Sequence, residues 1–188
     1  VKWSKRNSVK TLLLLGLLAM LIFTPLGNGV KGRVKGWIAY VTAKAKMQKQ
    51  TPLESYTWDL EDTDFRAFDF ESQKGKVVFI NFWATWCGPC VAEMPSLEKL
   101  YHAYGDKVTF LFVAQDRPER VSQFLKRKGY GLPVYYSGAQ RPEVLTSETL
   151  PTTYIIDREG RMVLVETNSV DWYRVEIRDM LDNLTAIQ

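Results

Sequence analysis

The run VVFINFWATWCGPCVAEMPSLEKLY, residues 77–101, constrains this chain more than any other segment. Val77 to Phe82 is apolar and β-branched apart from Asn81, as in a strand buried on both faces. Met94, Leu97, Tyr101 and Tyr104 then recur at helical spacing, and Gly105 is expected to end that helix. The chain's two cysteines, Cys87 and Cys90, stand at the junction. Cys87 therefore falls at a helix N-terminus, where unpaired N–H groups and the helix dipole favour negative charge. Its thiol is expected to ionise below the free value of about 8.5. Gly88 and Pro89 suit a first turn, where proline loses no needed hydrogen bond. The three-residue step sets Cys90 on the same helix face, one turn deeper. An exposed nucleophilic sulfur above a shielded partner is a dithiol/disulfide switch. Other uses of the pair fit less well. Zinc needs about four ligands, and two thiols with one histidine do not supply them, so no metal site is predicted. A purely structural disulfide here would close a very short loop and gain little chain entropy.

The flanking segments complete an α/β pattern. YTWDLEDTDFRAFDF (56–70) reads as one or two short peripheral strands, KVTFLFVAQ (107–115) as a second buried strand, and RPERVSQFLKRKGYG (117–131) as a helix. That helix begins at the surface RPER stretch, turns Val121, Phe124 and Leu125 inward, and stops at Gly129. LPVYY (132–136) is a short strand or an extended loop. TTYIIDREGRMVLVET (152–167) is a hairpin turning at Asp157–Gly160, with Gly160 supplying positive φ. In DWYRVEIRDMLDNL (171–184), Tyr173, Ile177, Met180, Leu181 and Leu184 form one stripe of a closing helix. Strand–helix–strand–helix, then a hairpin and a helix, predicts a mixed central sheet with helices on both faces. Pro95 should kink the first helix by depriving the Val91 carbonyl of its partner. Trp83 is expected in the core, Trp86 over the disulfide, and His102 in a structural role.

The first fifty residues differ in kind. They carry ten lysines and arginines and no acid, and from Glu54 onward acids outnumber bases. The net charge of +4 thus comes from the N-terminal arm and does not argue for nucleic-acid binding. Residues 1–10 form a basic segment, and 11–27 an uncharged, leucine-dense one at the short edge of what spans a bilayer. Leucine on every face argues for a signal anchor rather than a buried core helix. Gly27 and Gly29 make only a weak cleavage site, which favours a retained anchor. Lys2, Lys5, Arg6 and Lys10 before the segment nearly balance Lys31, Arg33 and Lys35 after it, leaving its orientation open to charge. Residues 28–53 form a basic juxtamembrane linker, readable as an amphipathic helix on anionic lipid or as a solvated tether. The domain proper is placed at 54–188.

FINFWATWCGPC, followed by EMPSLEKLY and, downstream, LPTTYIIDREG, resembles the TlpA/ResA-like membrane-anchored thiol–disulfide oxidoreductases of the thioredoxin superfamily. The resemblance covers roughly residues 56–188, a single-domain length. It implies a thioredoxin-like fold on the extracytoplasmic (periplasmic) side of the cytoplasmic membrane, acting on protein disulfides or dithiols. It also implies re-reduction by a membrane electron donor and, in related proteins, a part in cytochrome c maturation. No organic cofactor is implied. Carried over residue by residue, Cys87 is the attacking thiol and Cys90 the resolving one. Pro151 would be a cis-proline that turns the Leu150 backbone toward an extended substrate, the alternative being an ordinary trans turn proline. Trp86, Gly88 and Pro89 would complete the substrate-binding surface. Where cytoplasmic thioredoxins carry a buried Asp, this chain has Asn81, which cannot exchange protons. Glu93, one turn beyond Cys90, matches a Glu of the TlpA/ResA-like group. It is expected to be the acid/base partner of Cys90, with its pKa raised by burial, against the plain alternative of a solvated surface Glu. Two other functions compete. A redoxin-type peroxidase would set its cysteine in Thr-x-x-Cys, whereas Ala84 precedes Cys87 by three. A copper carrier would need ligands that the scattered methionines do not provide.

Overall fold

The computed structural model describes residues 52–186. The predicted segments 1–10 and 11–27, and residues 28–51 of the linker, lie outside them. Among the described residues no helix is long and apolar enough to cross a membrane.

Seven strands form one sheet: β1 (Leu60–Asp62), β2 (Ala67–Phe68), β3 (Val78–Trp83), β4 (Thr109–Ala114), β5 (Val134–Ser137), β6 (Thr152–Ile156) and β7 (Met162–Glu166). Among the described residues three α-helices accompany them: α1 (Gly88–Tyr104), α2 (Pro118–Lys128) and α3 (Val175–Ala186). The spatial order is β2-β1-β5-β4-β3-β6-β7. Central β3 pairs in parallel with β4 and antiparallel with β6. All six of its residues are buried, which is why its sequence, Asn81 apart, is apolar rather than alternating.

The register assigns the faces. Phe79, Asn81 and Trp83 of β3 share one face with Phe110, Phe112 and Ala114 of β4 and with Thr153 and Ile155 of β6. Against that face pack Cys90, Met94, Leu97 and Leu100 of α1, Val121 and Phe124 of α2, and Ile177 and Leu181 of α3. All three helices therefore cover the same side, and the expectation of helices on both faces is corrected. The crossovers β3–α1–β4 and β4–α2–β5 step the same way across the sheet, and right-handed connections then lay both helices on one side. Among the described residues no α-helix is available for the other side, because residues 138–151, between β5 and β6, form none. Val78, Ile80, Phe82, Leu111, Val113 and Tyr154 are instead covered by irregular chain carrying Leu53, Trp58, Phe70 and Leu145. Trp58 stacks on Phe82 and meets Phe70 edge-on. Each such large apolar side chain removed from water contributes roughly 1.5–3 kcal/mol. Leu53 belongs to this layer, and its N–H donates to the Gly160 carbonyl at 2.8 Å. Packing of the domain thus begins ahead of the boundary placed at residue 54.

Helix ends show two distinct uses of glycine. Gly129 closes α2 with φ +74°, and Gly160 turns the β6–β7 hairpin with φ +76°, as positive-φ positions require. Gly105, expected to end α1 in the same way, has φ −63°. Its requirement is space: a Cβ there would meet the Tyr101 carbonyl oxygen at 2.8 Å and its ring at 2.9 Å. Gly105→Ala is expected to destabilise the domain by about 1–3 kcal/mol, read as a lowered urea midpoint at unchanged slope. α1 runs through Pro95 as one element.

Candidate active site

Helix α1 starts where β3 ends, and its N-cap is Cys87. The Cys87 sulfur accepts the Cys90 N–H at 3.2 Å, the bond a capping side chain makes to the third helical residue. A thiolate in that place would take up the same donor and face the positive end of a 17-residue helix. Cys87 and Cys90 are joined as a disulfide, Cα to Cα 5.2 Å. Cys90 is wholly buried, as expected for a shielded partner. Cys87, expected to be exposed, is only 6 % accessible. Trp86, expected to cover the pair, is 65 % exposed and stands out from the surface beside exposed Gly88 and Pro89. The Leu150–Pro151 bond is cis. Since Thr152 is the register partner of Phe82, Pro151 lies at the end of the sheet from which Cys87 emerges.

Glu93 lies one turn below Cys90 on α1 and is 2 % exposed. Three donors from two separate segments hold its carboxylate. Asn81 Nδ2 of β3 donates to Oε1 at 2.9 Å, while Trp172 Nε1 at 2.9 Å and the Val170 N–H at 3.4 Å donate to Oε2. Burial pushes the Glu93 carboxyl above its ordinary range. The Trp172, Asn81 and Val170 donors oppose that rise, and the like charge of Glu166 adds to it. A carboxyl so placed can hold or release a proton beside a buried sulfur. The sequence gives little sign of Trp172, which is 79 positions from Glu93 and just ahead of α3, where it also packs edge-on against Phe79. Its backbone N–H donates to Ser96 Oγ at 3.0 Å, which ties the segment to α1.

Outside this cluster, Thr85 donates its hydroxyl to Asp116 at the end of β4. Burial raises the Asp116 carboxyl, but the Thr85 hydroxyl, the Arg117 N–H and Arg120 outweigh it and leave it below the usual carboxylate range. Asp116 thereby braces the loop leading into Cys87. Trp83 is fully buried, tilted against Phe124. His102 is exposed, with Glu98 4.0 Å away, and belongs to no site. Among the described residues no group of His, Cys, Asp and Glu could hold a metal ion.

A cysteine pair closed across the first turn of a helix, on a thioredoxin-like sheet with a cis-proline at the same end, defines a thiol–disulfide exchange protein. The Redoxin family profile matches residues 42–182. The chain is 36% identical to the thiol-disulfide oxidoreductase ResA of Halalkalibacterium halodurans, across 62% of this chain and 68% of that one. It is 30% identical to ResA of Geobacillus thermodenitrificans, across 98% and 99%. Among solved structures, a thioredoxin-family thiol:disulfide interchange protein from Chlorobium tepidum superposes with a TM-score of 0.55 at 26% identity, covering 71% of this chain and 97% of that one. The chain belongs to the Redoxin family, in its ResA/TlpA-like thioredoxin-superfamily branch, and is a thiol–disulfide oxidoreductase. The family name is the one set against this site above as a peroxidase type, whereas the relatives named here are oxidoreductases.

Proposed function

We propose that the protein reduces protein disulfides outside the cytoplasmic membrane, held there by residues 11–27, with cytochrome c maturation as its setting. The Cys87 thiolate attacks one sulfur of a substrate disulfide; a Cys87–substrate bond forms and the other substrate sulfur leaves as a thiolate. Cys90, deprotonated by Glu93, then attacks Cys87 Sγ. The mixed disulfide breaks, the substrate leaves as a dithiol, and two electrons have moved from the protein. The product is the Cys87–Cys90 disulfide, which a membrane dithiol donor returns to the reduced form. The Leu150 backbone pairs with the extended substrate, and Trp86, Gly88 and Pro89 supply its contact surface. The observation that carries this reading is the buried Glu93 one turn below a buried Cys90. The anchor and location rest on the leucine-dense segment and its basic flanks.

Direction is tested by equilibrating the Cys87/Cys90 couple against dithiol buffers, alongside insulin reduction, peroxide consumption and copper titration. A midpoint more negative than about −200 mV with insulin turnover is expected. A midpoint near about −120 mV, as in a strong oxidant, would reverse the assignment. Peroxide turnover or tight copper binding without insulin reduction would replace it.

A further inference from the structure

Asn81 is the side chain that most needs an explanation. It lies on the helix-covered face of β3, fully buried, where an apolar residue would pack at lower cost. Its Nδ2 makes two bonds, to Glu93 Oε1 at 2.9 Å and to Thr153 Oγ1 at 2.8 Å. Its Oδ1 has no partner among the described residues. Thr153 is its register partner on β6, so the amide and the hydroxyl are a cross-strand pair fixed by the sheet.

This arrangement suits an ionised Glu93, since every neighbour of its two oxygens donates. A protonated Glu93 needs an acceptor instead. Val170 N–H and Trp172 Nε1 at Oε2 cannot become one. Asn81 can. A half-turn of its carboxamide puts Oδ1 where Nδ2 stood, within reach of both Glu93 Oε1 and Thr153 Oγ1. A hydroxyl donates as readily as it accepts, so Thr153 serves both orientations. We propose that Asn81, backed by Thr153, is a positioning residue whose carboxamide turns over to hydrogen-bond Glu93 in both its ionised and its protonated form. The inference rests on the acid/base role given to Glu93 above. The half-turn leaves the NH2 unpartnered in place of the carbonyl, so hydrogen bonding favours the ionised form while burial favours the protonated one. Opposed in this way, the two hold the carboxyl where it can cycle. The facing charges are few. Glu166 of β7 acts on Glu93 with like charge, and the reduced Cys87 and Cys90 share its helix. Asn81, Thr153, Val170 and Trp172 carry none.

The test is an NMR titration of the full chain, following the Glu93 carboxyl carbon and the Asn81 side-chain amide, beside the pH profile of Cys90 resolution. In the wild type the Asn81 amide should titrate with the midpoint of Glu93, and that response should vanish in Glu93→Gln. Asn81→Leu should make Glu93 bind its proton about tenfold more tightly, because the charged form loses the stronger bond. Thr153→Val should move the Glu93 midpoint, and Thr153→Ser should restore it. An Asn81 amide silent through the Glu93 titration, or a midpoint unmoved by Thr153→Val, overturns the inference and leaves the role of Glu93 intact. If Asn81 follows Glu93 but Glu93→Gln leaves the resolution profile unchanged, the hydrogen-bond device stands and the acid/base assignment falls.

Discussion

Serine in place of Cys90 is expected to give a protein that attacks a disulfide once and then stays bound to it. Cys87 is only 6 % accessible, so an incoming thiol has no easy access to its sulfur, and intramolecular attack by Cys90 on Cys87 Sγ is the fast route out of the mixed disulfide. Without that route, steady-state insulin reduction should fall at least about a thousandfold. A covalent adduct through Cys87 should accumulate on non-reducing gels and in intact-mass spectra. Cys87→Ser should show the same loss of turnover with no adduct. Double replacement should be no worse than either single change, because the two sulfurs act as a unit. A Cys90→Ser protein that turns over insulin near the wild-type rate would remove the two-cysteine exchange.

Glu93→Gln should alter both rate and stability, in opposite directions at neutral pH. Removing the proton acceptor from a buried thiol should slow resolution by about a hundredfold and remove the Glu93 titration from the pH profile of that step, leaving only the ionisation of Cys90 itself. The stability effect follows from the upward shift of the carboxyl. Because the folded state raises this value above the unfolded one, near 4.5, folding favours the protonated carboxyl. Its contribution is fully present below the unfolded value and is lost as pH rises through the folded one. Wild-type stability should therefore decline across that window, by about 1.4 kcal/mol per pH unit separating the two values, and the glutamine variant should lack the decline. The glutamine oxygen can accept from Trp172 while its NH2 meets Asn81 Oδ1, so the variant should fold. Urea unfolding at several pH values measures the difference. Parallel curves for the two proteins would mean that Glu93 has the same proton affinity folded and unfolded.

Local patterning showed much of this architecture. The apolar run of β3 on either side of Asn81, the glycines after α2 and in the β6–β7 turn, and the cysteine at the start of α1 are all signals carried within a few residues. The faces of the helices were not legible in that way. They depend on two crossovers stepping in the same direction and on residues 138–151 remaining non-helical, neither of which periodicity reports. The same holds within the site. Cys87, Cys90 and Glu93 lie within two turns of one helix and could be read together. Trp172 and Thr153 reach Glu93 and Asn81 across 79 and 72 positions, brought in by strand register and by a loop folding back. Asn81 is legible as a departure from thioredoxins, but its bonding to Glu93 is visible only once the strands are paired.

The tie between Leu53 and Gly160 fixes where the polypeptide joins the domain. Gly160 lies beyond Ile156, and Ile156 is opposite Val78, the first residue of β3, whereas Cys87 follows the last. Entry point and sulfur pair therefore occupy opposite poles, at least the length of a six-residue strand apart, about 17 Å. A disulfide that approaches the cis-proline end therefore meets neither of the residues that make this tie.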